Sequence, residues 1–174
     1  MTNNNNFFLD SKSDDIKDTY LTFSVGTEHY AVNINYVTEI VGMQKISEVP
    51  DVPPFIKGVT NLRGNVVAVM DVRLRFGLPW RDYDDRTTII VLELDGVSTG
   101  LVVDRVNEVL DIQADQINLP PHWHSNGDQG VIKGLGKTEE DVYIILDTRR
   151  LLNDRRTQLD ISQEIAQVAH LEMG

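Results

Sequence analysis

The chain repeats itself, and a repeat of this length restricts the fold more than any motif inside it. Residues 22–41, TFSVGTEHYAVNINYVTEIV, align with residues 91–110, VLELDGVSTGLVVDRVNEVL, at an offset of 69. Hydrophobic positions agree through both stretches, and Glu39 falls on Glu108. Residues 55–77, FIKGVTNLRGNVVAVMDVRLRFG, align with residues 131–153 at an offset of 76. There Ile56-Lys57-Gly58 meets Ile132-Lys133-Gly134, Asp71 meets Asp147, Arg73 meets Arg149 and Gly77 meets Asn153. The loop PPHWHSNGDQG (120–130) absorbs the difference between the offsets. Each copy spans about 65 residues, near the lower size limit for a domain that folds alone. The copies are therefore expected to pack together, leaving a groove suited to a ligand or partner.

Each copy reads as strands. YLTFSVG (20–26) and EHYAVNI (28–34) flank a turn at Gly26-Thr27, the signature of a hairpin. YVTEIVG (36–42) is an amphipathic turn or short strand, and the prolines of SEVPDVPPF exclude regular helix after it. IKGVTNLR and VVAVMD read as a second hairpin turning at Gly64-Asn65. Asp71 as N-cap and Gly77 past the end frame a short helix, VRLRF. LPWRDYDDR is a linker, and the second copy opens with two strands around Asp95-Gly96. Several short strands with close turns predict small barrels. Residues 1–19 read as a disordered lead-in, 20–86 and 87–153 as two β-barrel subdomains, and 154–174 as a tail. In that tail Ile161, Ile165, Val168 and Ala169 share one helical face behind an Asp160/Gln163 capping box, which predicts a C-terminal helix docked on the barrels.

The 174 residues contain no cysteine, which removes disulfides, a thiol nucleophile and thiolate metal sites. A formal net charge of −11 repels phosphate backbones and anionic membranes. No apolar run approaches the ~18 residues of a membrane span. The N-terminus lacks a basic region followed by an apolar one, so no secretion signal is read and a cytoplasmic home is expected. Met1 and the tail to Gly174 read as a complete short chain.

Chemistry-bearing motifs are sparse. His122-Trp123-His124 in an extended segment, with Asp128, is the one candidate zinc motif, but it follows two prolines in a loop with no further histidine near. His29 and His170 stand alone. GVTNLRG lacks phosphate-loop spacing, and no G-x-S-x-G occurs. No metal, cofactor or catalytic residue is assigned. Glu39 and Arg63 belong to one copy and meet if segment 36–41 packs beside the hairpin; the alternative is a solvated arginine of little energetic consequence.

YVTEI (36–40), VPPFIKGVTNLRGNVVAVMDVRLRFG (52–77), GLVVDRVNEVL (100–110), IKGLG and IILDTRRLL together resemble the CheW family of bacterial chemotaxis coupling proteins over residues 18–153. The resemblance implies a mainly β chain of two SH3-like five-stranded β-barrels packed together, with short helices. It implies no enzymatic activity. It implies an adaptor that ties the histidine kinase CheA, through the kinase's regulatory domain, to the cytoplasmic tips of chemoreceptors, recruited to membrane-associated arrays without membrane insertion. By position, Glu39 and Arg63 match an acid–arginine pair that shapes the receptor-facing surface. Val37, Ile40, Gly58 and Asn61 match receptor-contact positions, and Gly100, Val102 and Val103 are expected to face the same groove. Kinase contacts are expected near Leu135 and Tyr143. The other readings are a CheW-like regulatory domain detached from a kinase or receiver-containing adaptor, and a small-ligand barrel or enzyme using His122 and His124.

Overall fold

A computed structural model describes residues 18–119 and 130–153. The His122-Trp123-His124 motif, His170 and the C-terminal helical pattern lie outside the described residues. The described chain forms β1 (Thr19–Val25), β2 (Glu28–Asn33), a 3-10 turn (Ile34–Tyr36), β3 (Val37–Gly42), β4 (Ile56–Leu62), β5 (Asn65–Asp71) and helix α1 (Val72–Arg75). The second copy forms β6 (Thr88–Leu94), β7 (Val97–Val103), β8 (Arg105–Asp111), a 3-10 turn (Ala114–Gln116), β9 (Ile117–Asn118), β10 (Ile132–Lys137), β11 (Val142–Leu146) and helix α2 (Thr148–Leu152).

The two sheets do not follow the two halves of the chain. One has the order β8-β1-β2-β11-β10-β9, the other β3-β6-β7-β5-β4. Each copy has handed its first hairpin to the other copy's sheet. The orders are the same once repeat positions are matched, and so are the registers: Ala68 opposite Thr99 in the parallel β5/β7 pair corresponds to Ile144 opposite Tyr30 in β11/β2. The division near residue 86 therefore separates the repeats but not the sheets. The five-stranded barrels expected from the sequence are a six-stranded and a five-stranded sheet, neither closed by a continuous ladder. In the five-stranded sheet an isolated bridge from Ser47 to Val59 draws the edges together. In the six-stranded sheet the chain after edge strand β8 returns as the two-residue β9, which pairs β10 with Asn118 opposite Leu135. The sheet edges meet there because the chain following β3 or β8 crosses over β4 or β10.

Strand alternation sorts the core. On β6, Ile89 and Val91 join Leu62, Val67, Val69 and Val102 inside the curl of the five-stranded sheet. Ile90, Leu92 and Leu94 face the other way, meeting Leu21, Phe23, Val25 and Val32 of the six-stranded sheet in the largest cluster, which fills the space between the sheets. Tyr20, Ala31, Ile112, Tyr143 and Ile145 fill the second curl. Each fully buried aliphatic side chain contributes about 1.5–3 kcal/mol of transfer free energy. Stacked rings tie the exchanged hairpin to α1: Phe23 lies 5.7 Å from Tyr30, and Tyr30 lies 5.3 Å from Phe76.

Local chemistry follows the sequence closely, with one shift. Asp71 caps α1 by accepting from the Leu74 N–H, Asp147 caps α2 by accepting from Arg150, and Gly77 past α1 has φ of 76°. The β4–β5 turn is Arg63-Gly64, one residue earlier than expected. Both residues are left-handed, φ 53° and 87°, as a two-residue hairpin of the type I′ kind requires. The Asn61 side chain holds the turn by accepting from the Gly64 N–H at 2.9 Å.

Candidate partner-binding surface

Glu39 sits on β3 and Arg63 in the β4–β5 turn, on strands that form opposite edges of the five-stranded sheet. Curling of the sheet brings the edges within reach, and Arg63 Nη2 lies 3.0 Å from Glu39 Oε1. The arginine side chain is 82% exposed and the glutamate 23%. The pair is thus a surface pair, worth at most about 1 kcal/mol to the fold. Its effect is to place an exposed cation beside a largely covered anion across the seam.

Ile40, next to Glu39, is 46% exposed, and it is one of few large apolar side chains so exposed among the described residues. Val37 is half-buried against the central cluster. Asn61 is exposed beside the turn it holds. Glu39 lies opposite Val91 and so on the curl side of β3, while Ile40 lies opposite Ile90 on the other face, so the ion pair and the exposed isoleucine occupy the two sides of one edge strand.

Gly58 belongs to that seam but does not present a face. It is buried with φ of 142°, and a Cβ there would stand 2.0 Å from the Ser47 carbonyl oxygen. The absence of a side chain lets the 43–47 segment cross β4, where Ser47 and Val59 exchange two backbone hydrogen bonds of 2.8 and 2.9 Å. At Gly134, its repeat partner, a Cβ would come within 2.6 Å of the Ile117 side chain and 3.1 Å of the Asn118 carbonyl oxygen.

Three expected contact positions are displaced inward. Gly100 is buried, and a Cβ on it would come within 2.8 Å of Ile89. Val102 and Val103 are 3% and 1% exposed, the first inside the curl and the second between the sheets. They lie on β7, a central strand whose two faces are both covered. Tyr143 is likewise buried, inside the curl of the six-stranded sheet, and burial raises its phenol pKa, with Asp141, Glu108 and Glu140 adding to the rise. Leu135 on β10 is half-buried.

The exposed apolar residues that sequence reasoning missed are Val109, Val142, Trp80 and Val97. Val109 was legible in principle, since it is the repeat partner of Ile40. Val142 directly precedes Tyr143 and points outward by strand alternation. Trp80 is held by the linker, with Lys57 5.8 Å from its ring and Tyr83 6.0 Å away. Tyr83 donates to the buried Asp71 carboxylate at 2.7 Å; burial and that bond both raise its pKa.

Among the described residues, no three His, Cys, Asp or Glu side chains gather as a metal would need. His29 Nδ1 lies 3.1 Å from Ser24 Oγ, and Asp141 is 4.0 Å from its other nitrogen. No helix among the described residues is long and apolar enough to cross a membrane.

Two interleaved β modules that exchange hairpins, with an ion pair closing one sheet edge on the other, define a two-sheet β scaffold. The chain belongs to the CheW family: the CheW-like domain matches residues 19–156. It is 36% identical to the chemotaxis protein CheW of Klebsiella aerogenes over 140 residues, which cover 80% of this chain and 84% of that one. It is 32% identical to the chemotaxis protein CheW of Bacillus subtilis, covering 79% and 88%. The crystal structure of the scaffolding protein TtCheW from Thermoanaerobacter tengcongensis superimposes with a TM-score of 0.72 at 33% identity, covering 80% of this chain and 95% of that one.

Proposed function

We propose that this chain is a chemotaxis adaptor that holds chemoreceptors and the histidine kinase CheA in one complex and performs no catalysis. The observation that carries the reading is the seam surface. Edge strand β3 offers exposed apolar area at Ile40 on one side and the Glu39–Arg63 ion pair on the other, and apolar area with polar groups close by is what a reversible protein interface requires. The receptor tip is assigned to Val37, Glu39, Ile40, Asn61 and Arg63, with Gly58, Gly100, Val102 and Val103 setting the shape below. The kinase regulatory domain is assigned to the other sheet, at Leu135 and the outer end of β11, where Tyr143 anchors the strand and Val142 is exposed. The family's adaptor role and the names of the relatives support this reading. It places the protein in the cytoplasm, recruited to receptor arrays.

The test is co-sedimentation of the full chain with CheA and with receptor cytoplasmic fragments assembled on vesicles. Retention of CheA on receptor vesicles only when this chain is present is the expected result. Equal retention without it removes the adaptor reading.

A further inference from the structure

The chain passes between the sheets at two places among the described residues: the 3-10 turn Ile34–Tyr36, leading from β2 to β3, and the single residue Asp104, between β7 and β8. The repeat makes these places equivalent, since Asp104 aligns with Asn35 at the offset of 69. Their chemistry is not equivalent. Arg73 of α1 grips Asp104 with two bonds, Nε to Oδ1 at 2.9 Å and Nη2 to Oδ2 at 2.7 Å, and both side chains are 16% exposed. The Gly26 N–H of the exchanged hairpin donates to the same carboxylate at 2.8 Å, and Arg81 of the linker approaches at 3.4 Å. The Asp104 N–H donates to Ser24 O at 3.1 Å. One carboxylate therefore joins α1, the linker, the exchanged hairpin and the crossing itself. At the other crossing the backbone N–H of Asn35 donates to the Asn33 side chain. Among the described residues Arg149, the partner of Arg73 by repeat, has an ion pair with Asp95 alone, at 3.3 Å with both groups more than half exposed.

We propose that Asp104 is a positioning residue that fixes the angle between the two sheets, and that the adaptor uses this one clamped crossing to pass receptor state to the kinase. The second half rests on the adaptor reading above. A charge-assisted, two-pronged pair shielded from water holds geometry far better than an exposed single contact. If receptor and kinase sit on different sheets, a free energy difference at one is felt at the other only when the sheets move as one body. The softer Asn35/Arg149 crossing does not do this work.

The absence of cysteine allows a direct measurement. Spin labels at Glu93→Cys on β6 and Lys137→Cys on β10, both exposed, report the distance between the sheets. The expected result is a narrow distribution in the otherwise native chain, broadened by Asp104→Asn and by the milder Arg73→Gln, and unchanged by Asp95→Asn. In reconstituted receptor–kinase complexes, Asp104→Asn and Arg73→Gln are expected to bind each partner separately within about twofold of the native chain while lowering receptor control of kinase activity by roughly fivefold or more. Distributions as narrow in both clamp variants as in the native chain overturn the clamp. Broadened distributions with normal receptor control overturn the signalling role alone. A native chain that captures neither partner overturns the adaptor reading and leaves the distance result standing. Circular dichroism confirms folding before each measurement, and Arg73→Gln decides the matter if Asp104→Asn does not fold.

Discussion

Arg63, in the turn that follows edge strand β4, stands 3.0 Å from Glu39 on the opposite edge strand β3, so their contact reports that the sheet has curled upon itself. With the arginine 82% exposed, the pair adds little to stability; a role in recognition is what the proposed receptor surface assigns to it.

Reversing the charge at this point separates those roles. Arg63→Glu places two carboxylates side by side at the seam, and the expected change in unfolding free energy is below about 1 kcal/mol, measured by urea titration. Binding to receptor fragments is expected to fall by tenfold or more, about 1.4 kcal/mol, while CheA binding stays within about twofold. Equal loss for both partners, or loss for neither, counts against the assignment.

Ile40 and Val109 occupy the same repeat position, and both are about half exposed. Only Ile40 has an arginine beside its glutamate, because the repeat partner of Arg63 is Glu139. Ile40→Asp is expected to weaken receptor capture by roughly tenfold and Val109→Asp to leave it unchanged, in the same vesicle assay. The reverse order would move the receptor surface to the other sheet.

Gly58 invites a misreading. A substitution here alters the fold before it alters any contact, because a Cβ meets the Ser47 carbonyl at 2.0 Å and the φ of 142° disfavours any side chain. Gly58→Ala is expected to lower stability by about 1–3 kcal/mol, with faster amide exchange at Ser47 and Val59. Exchange at those amides equal to the native rate would show that the crossing is not held at this point.

The clamp also leaves a pH signature. Burial of Asp104 works to raise its pKa, but the Arg73 bonds, the Gly26 N–H and the charge of Arg81 outweigh it, and the net shift is downward from 3.8. A depressed carboxylate stabilises the fold fully above its unfolded pKa and loses that contribution as pH falls through the folded one. Acid unfolding below about pH 4 is therefore expected to be steep in the native chain and shallower in Asp104→Asn, followed by circular dichroism. Identical acid limbs would mean that the carboxylate is no better stabilised in the fold than in the open chain.

Much of this architecture was legible in the sequence because alternation and turn chemistry are local. The strands, both helix caps and the hairpin at Asp95-Gly96 follow from neighbouring residues alone. The slip at Arg63-Gly64 has a physical cause: an arginine at φ 53° is disfavoured, and Asn61, which holds the turn, acts from outside it. The exchange of hairpins was not legible, because β1–β2 and β6–β7 are near copies and either completes either sheet with the same pattern. The inward positions of Val102 and Val103 escaped for a related reason, since a strand covered on both faces reads as continuously apolar and gives no outward side. Glu39 and Arg63 were placed in one copy by sequence; that they meet depends on the crossing at Gly58, which joins residues far apart along the chain.

The traded hairpins have a consequence for dissection of this protein. Cutting the chain near residue 86 would strand each fragment with a hairpin whose proper bed lies in the other fragment, and with a bed lacking its hairpin. Each piece carries the means to fill its own vacancy from a neighbouring molecule, so isolated halves are set to pair with one another or with themselves, and the intact chain is in effect such a pair made permanent by a covalent tether.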